Sequence, residues 1–391
     1  MSNWIILAKR ILKNPWMLLP VVVIIYIIAW NLHINYVVED NYDPFSNVRT
    51  QNKVSVERTQ YWEKELQNPQ LDSERRKVIQ EDLKRAEAMK NVTEKILTSY
   101  NQKNYSDAYA GMKDYHQLFI ESINQDKEMY QNSGKDLIRA LNNENTFYDY
   151  LSRENIEHDS LAPLQGITFA YTASSTFLPI VWAVVLVFIF SILFSTHFSS
   201  RLLIYRLVPV PFARYQFENL SIAILLGVLL ILGSLVFSIS LAGGLNSWGS
   251  IHYPVLFYSK DMSQTWLPII DLLGESICYI FLGLLVMIVT VYAIHFYVKD
   301  LWYTLILALL IGPGSMVLTE HNKLVSRVGY FLPFNYLRGA QLASREFFHY
   351  YRAPIQDISV GIVYTLVYCL LLLSFVRIVN RRRDQLLIRV K

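Results

Sequence analysis

The chain is short of charge, of cysteine and of any compact signature of phosphate, metal or nucleophile chemistry. Only 17% of its 391 residues are charged, whereas 53% are hydrophobic and the mean hydropathy is +0.24. Soluble domains carry about a quarter charged residues, so this balance points to an integral membrane protein. The two cysteines, Cys278 and Cys369, both sit inside apolar runs, which excludes a disulfide framework and a cysteine-based metal cluster. No G-x-x-x-x-G-K-[ST] stretch is present, so the chain has no P-loop of its own to cradle nucleotide phosphates. H-E-x-x-H, paired Cys-x-x-Cys and G-x-S-x-G are missing too, and with them the chemistry each supplies. The eight histidines are scattered; His321 and His349 come nearest to a cluster and lack ligand spacing. These gaps argue against an enzyme acting alone, and no metal or cofactor is expected in this chain.

What is abundant is long apolar sequence. Crossing ~30 Å of hydrocarbon takes about 18 or more mostly apolar residues, and six runs qualify: 16–36, 177–197, 220–245, 267–298, 301–318 and 358–379. The expected fold is therefore all-α and polytopic, with six transmembrane helices. The fourth run is long enough to tilt. The fifth is barely long enough, and Gly312-Pro313-Gly314 is expected to break its far end, which needs protein or water to satisfy the freed backbone. The first run is too long for a signal-peptide core and has no small-residue cleavage site after it, so it reads as an uncleaved span. Ahead of it, residues 1–15 place Trp4, Ile5, Leu7 and Ile11 near one face and Lys9, Arg10 and Lys13 towards another. That pattern suits a short amphipathic helix in the interface, or simply a basic flank.

Net charge is +4 but unevenly spread: residues 37–175 sum to −6 and the remainder to +10. Residues 37–176 form one acidic, water-soluble insert between spans 1 and 2. Ile79, Leu83, Ala86, Met89, Val92 and Ile96 follow 3- and 4-residue steps, as do Met112, Tyr115, Phe119 and Ile123, so the insert is expected to be helical. Three or four helices should pack as a bundle, the outermost two continuing into the spans. Ser133-Gly-Lys-Asp136 has the form of a capping box ahead of the last of them. Tyr100, Tyr105, Tyr109, Tyr115, Tyr130, Tyr148 and Tyr150 are expected in core and helix–helix contacts.

Lys and Arg near span ends set the orientation. The N-terminal segment, the 198–219 connection (Arg201, Arg206, Arg214) and the 380–391 tail, with Arg377 just before it, share one side in a six-span count. Both termini are then cytoplasmic and the insert is extracellular, in a cell membrane that is expected to be a bacterial plasma membrane. The 319–357 connection conflicts, carrying Lys323, Arg327, Arg338, Arg345 and Arg352 yet facing outside. Clusters of cations at membrane flanks are explained by retention and anionic membrane lipid, without nucleic acid.

Two constellations remain. Asp271 and Glu275 lie four apart on one helical face of span 4; ionisable residues at membrane depth usually face a cavity or partner, while a place near the outer interface would leave them simply hydrated. The 319–357 segment, with "VGYFLPFNYLRGAQLASREFF", is too polar to span and too apolar for an ordinary loop. It reads as short helices dipping back into the outer leaflet, with Arg338 and Arg345 facing a vestibule or snorkelling to head groups; the alternative is an exposed hairpin capping the insert. Glu218 sits four residues after Arg214, where a local pair can form.

With six spans, an interfacial N-terminal segment, an exterior insert after span 1 and a Pro-containing connection after span 2, the chain resembles the membrane subunit of an ABC-2 type ABC exporter. "RLVPVPFARYQFENLSIAIL" is similar to that family's coupling helix, with Pro209, Val210, Ala213 and Arg214 matching best, and "YFLPFNYLRG" to its re-entrant helices. It departs in having Ser199-Ser200 where the family often has glutamate and a glycine-threonine pair, and in an extra Val-Pro. The resemblance implies a separate P-loop ATPase subunit holding ATP and Mg, and a second permease copy or a paralogue completing the pathway. Arg206, Pro209, Pro211, Phe212 and Arg214 would dock on the ATPase; Asp271, Glu275, Arg338 and Arg345 are candidates to line the substrate path. The cargo class it implies is a peptide, lipid or antimicrobial compound. Rival readings are a membrane protein that transmits ATPase motion to outside partners, and a sodium exporter with Asp271 and Glu275 as ligands.

Overall fold

A computed structural model describes residues 15–39, 45–125, 134–159, 162–195, 212–261 and 263–389; the proposed interfacial helix, apart from Pro15, lies outside them. The protein is mostly helical, 82%, with six helices long and apolar enough to cross a membrane. These are α1 (Leu19–Glu39), α7 (Leu178–Ser195), α8 (Phe212–Leu245), α9 (Ile269–Val298), α10 (Leu301–His321) and α14 (Ile358–Arg389). Between α1 and α7 come four polar helices, α2 (Ser46–Leu66), α3 (Ser73–Asn101), α4 (Tyr105–Gln125) and α5 (Gly134–Glu154), and a short apolar one, α6 (Gly166–Ser175).

The spans are not equivalent. In the most apolar 18-residue stretch of α7 and of α9, 72% of the residues are buried, against 17% in α1 and 11% in α14. Trp182, Leu186, Phe190 and Phe194 on α7 and Leu284, Met287, Val291 and Tyr292 on α9 make the centre, and α1, α8, α10 and α14 surround it. Near-uniform apolarity around α7 is what a helix buried on all sides requires.

In the insert, α2–α5 pack each against the next, α2 on α3, α3 on α4, α4 on α5. The stripes anticipated from the sequence face inward, with Ile79, Ala86, Ile96, Met112 and Ile123 buried. The aromatic core, with Phe45, Tyr109, Tyr148 and Tyr253, gathers at the membrane-proximal end. Asp72 caps α3 by accepting from the Arg75 amide at 2.7 Å. Ser133 of the supposed capping box lies outside the described residues.

Two expectations need correction. α5 does not run on into span 2: residues 155–165 and then α6 intervene, and α6 is buried beside α8. The fifth span is not broken by Gly312-Pro313-Gly314; the helix passes through Pro313 to His321. Proline removes one hydrogen bond and crowds the preceding turn, but Gly312 and Pro313 are buried and Met287 and Phe334 close over that turn. The helical fold carries one small addition. β1 (Pro254–Tyr258) and β2 (Gln264–Pro268) form an antiparallel hairpin, registered Pro254 with Pro268 and Tyr258 with Gln264. Aromatic and β-branched residues suit a pleated surface, and here they bridge the insert to the membrane part: Phe147 of α5 meets Trp266 with ring centroids 4.6 Å apart.

After α10 the chain folds into α11 (Lys323–Arg327), two 3-10 turns (Gly329–Phe331, Pro333–Leu337), α12 (Gly339–Ala343) and α13 (Glu346–Tyr351). This segment lies backbone against backbone on α9. A Cβ on Gly339 would stand 2.2 Å from the Ser276 carbonyl oxygen, and one on Gly283 2.6 Å from the Leu337 amide nitrogen. Gly283 is 14 residues into α9, about 21 Å along its axis, so the segment reaches back well past the helix's start.

Candidate functional site

α8 is the element that ties the two ends of the molecule together. Its 34 residues give about 51 Å of rod, longer than the ~30 Å hydrocarbon layer. Trp182 Nε1 donates to Ser234 Oγ at 2.8 Å, and a Cβ on Gly227 would meet the Phe190 ring. These contacts align α7 antiparallel to α8 and set Ser195 near residue 222. About ten residues of α8, from Phe212, thus extend beyond α7 on the side away from the insert.

At that end Arg206, Pro209 and Pro211 lie outside the described residues, and Phe212 opens the helix. Arg214 is exposed, its Nε 3.3 Å from Glu218 Oε1, the local i,i+4 pair its spacing predicts. An exposed pair of this kind contributes little to stability, so the guanidinium remains available to a partner.

At the other end, the loop after α8 is stitched to the chain leading into α6. The amides of Gly166 and Ile167 donate to the carbonyls of Ser247 (2.9 Å) and Trp248 (3.0 Å). Asn246 Nδ2 donates to Leu164 O at 3.0 Å, and the Tyr36 hydroxyl at the end of α1 donates to Asn246 Oδ1 at 2.6 Å. Buried Asp159 organises the joint. Its carboxylate accepts from the amides of Leu164 (3.0 Å) and Gln165 (3.1 Å) and from the Thr168 hydroxyl, while the Tyr253 hydroxyl donates to its main-chain oxygen at 3.3 Å. Gly166 lets the two chains touch, since a Cβ there would lie 2.6 Å from the Ile239 carbonyl oxygen. The insert connects here too: His158 N donates to the Tyr109 hydroxyl (2.7 Å), which itself donates to Ile156 O (2.9 Å).

The four substrate-path candidates do not converge. Asp271 is exposed in the first turn of α9, near Tyr150 of the insert. Glu275, one turn deeper, is half-buried within electrostatic reach of Arg345 and Asp357. Arg345, with φ of +60°, lies over the Phe257 ring of the hairpin at 4.8 Å. Lys260 at the hairpin tip meets Asp357 at 3.5 Å, and Tyr258 stacks on His349. Arg338 neither lines an open vestibule nor snorkels: its side chain is 3% exposed and reaches Glu320 Oε1 at 2.5 Å, the Tyr351 hydroxyl at 3.2 Å and Met316 O at 3.4 Å. Among the described residues no three His, Cys, Asp or Glu are grouped to hold a metal ion.

Sequence reasoning missed Asp159, Asn246 and Glu320. Glu320 stands two residues past the expected end of span 5, and the charge that calls for it, Arg338, is eighteen residues on. Asp159 is one of many acids in the insert; its only local signal is the Pro163–Gly166 turn chemistry that follows. Comparison of the chain with family models, curated proteins and solved structures finds no match.

Proposed function

We propose that this multi-pass membrane protein is the transmembrane subunit of an ATP-driven exporter of the ABC-2 type. The 198–219 connection would dock on a separate cytoplasmic P-loop ATPase, which carries ATP and Mg. A second copy or a paralogue completes the pathway, and the cargo is a peptide, lipid or antimicrobial compound. The end of α8 that bears Arg214 is then cytoplasmic and the α2–α5 insert extracellular.

The observation that carries this reading is the continuity of α8. A single helix runs from the Pro-Val-Pro-Phe connection to the joint at Asn246, where α1, α6 and the stretch leading from the insert meet. Helices move as rigid units and amplify small displacements at one end. Tilting the exposed end of α8 would therefore swing the joint, and the insert attached to it, with no hinge between. Proline at 209 and 211 stiffens the contact by fixing φ. Arg206 and Arg214 offer cations to acidic or polar groups of the ATPase, and Phe212 an aromatic anchor. Glu275 of α9 and Arg345 of the hairpin-covered segment, within electrostatic reach of each other, are the candidates to meet cargo at the outer mouth.

The test is copurification of the ATPase with the full chain from membranes. Arg214→Glu should abolish it while insertion is unchanged. This variant also sets two like charges beside each other at 214 and 218, so Pro209→Gly with Pro211→Gly is the independent second variant. Undiminished association in both defeats the coupling assignment.

A further inference from the structure

An apolar cavity of about 460 Å³ opens between α1, α7 and α8, lined among others by Val21, Ile25, Ile189, Leu229, Gly233 and Phe237. Gly233 makes it: a Cβ there would meet no atom within 4 Å, so the helix presents bare backbone to open space. We infer that the cavity holds one acyl chain of a resident membrane phospholipid, wedged between α1 and α8.

Three features select this occupant. The lining offers no free polar group. Its one polar side chain, Ser234, is buried, donates to Ile231 O at 2.7 Å and accepts from Trp182 Nε1 at 2.8 Å. A guest with a polar middle would lose hydrogen bonds there, whereas an alkyl chain loses none. The depth also fits. Along this stretch the cavity runs from Met17, just ahead of α1, to Ile25 within it, eight residues and about 12 Å of helix axis, close to the ~15 Å of one leaflet's hydrocarbon. It starts at the end of α1 remote from the insert, so a chain hanging from that leaflet's head groups enters at one end. Its volume lies within the range of small-molecule sites, about 300–1,000 Å³.

The filled cavity would seat α1, whose own packing is slight, against α8. This inference is independent of any ATPase partner.

The test uses the full chain in nanodiscs of mixed phosphatidylglycerol and phosphatidylcholine, with a trace of phosphatidylglycerol bearing a photoactivatable diazirine on one acyl chain. Crosslinks mapped by mass spectrometry should favour residues 17–25 and 226–237 over lipid-exposed Leu366 and Leu370 of α14 by about tenfold, the factor a modest site preference produces. Gly233→Trp, and to a lesser degree Gly233→Leu, should remove that excess and leave α14 labelling unchanged. Gly244→Trp is the control, because a Cβ at Gly244 also meets open space but lies outside the lining. Equal labelling of the cavity and α14 in the wild type overturns the proposal, as does an excess that survives both Gly233 variants.

Discussion

Glu320→Gln tests whether the segment after α10 is held by a buried ion pair. Arg338 is 3% exposed on its side chain, and among the described residues Glu320 is the carboxylate that pairs with it. Removing one partner of a buried pair costs about 3–5 kcal/mol, because the other charge is left desolvated and uncompensated. The Glu320 side chain is 31% exposed, so water shares its charge, and ~2–4 kcal/mol is the expected loss for Glu320→Gln. Arg338→Met leaves a partly wet carboxylate and frees the Tyr351 hydroxyl and Met316 carbonyl, at about 1–3 kcal/mol. In the double variant no buried charge remains, so its loss should fall short of the sum of the singles by roughly 1–3 kcal/mol. Equilibrium SDS titration of the purified full chain measures all three. If Glu320→Gln costs under about 0.5 kcal/mol, or the two changes add within that margin, the pair does not hold the segment.

How much could be read from sequence divides by the range of the forces involved. The six spans were legible because length and apolarity are properties of a run itself, and the insert's helices because Ile79, Ala86 and Ile96 repeat at helical spacing. Where tertiary contact decides, local signals misled. Pro313 reads as a break, yet Met287 and Phe334 pack over its turn and the helix continues. The strands of the hairpin are five residues each, too short to announce themselves, and hold because Trp266 packs on Phe147 and donates to Asn143 O at 3.2 Å. Asp271 and Glu275 share a helical face as their spacing requires, but a single turn separates an exposed helix start from a half-buried site. Arg338 and Arg345, seven residues apart in one basic stretch, go to opposite fates: one into an ion pair, the other onto an aromatic ring of the hairpin. No periodicity distinguishes them, since the partners, Glu320 and Phe257, come from elsewhere in the chain.

Two further perturbations probe the joints. Gly339→Ala places a methyl 2.2 Å from the Ser276 carbonyl oxygen, which backbone cannot yield cheaply, so α12 should lift from α9 and the chain lose well over 1 kcal/mol. Gly274→Ala, on α9 itself but facing open space, should instead be neutral or gain about 0.5–1 kcal/mol from helix propensity; equal losses in the SDS titration would refute the close-packing account. His158 sets the pH response of the insert's base. Burial beside Phe147 and Tyr148 lowers its pKa from an ordinary 6.5 to about 4, so the folded ring stays neutral where an unfolded one would already take up a proton. Stability is therefore complete above about pH 7 and falls as pH drops through 6.5 towards 4, with a slope of at most about 1.4 kcal/mol per pH unit, flattening below 4. Hydrogen exchange of the Tyr109 and Leu151 region from pH 7 to 4 reads this directly: protection should decline in the wild type and hold steadier in His158→Phe, and identical pH profiles would show that another group governs the base.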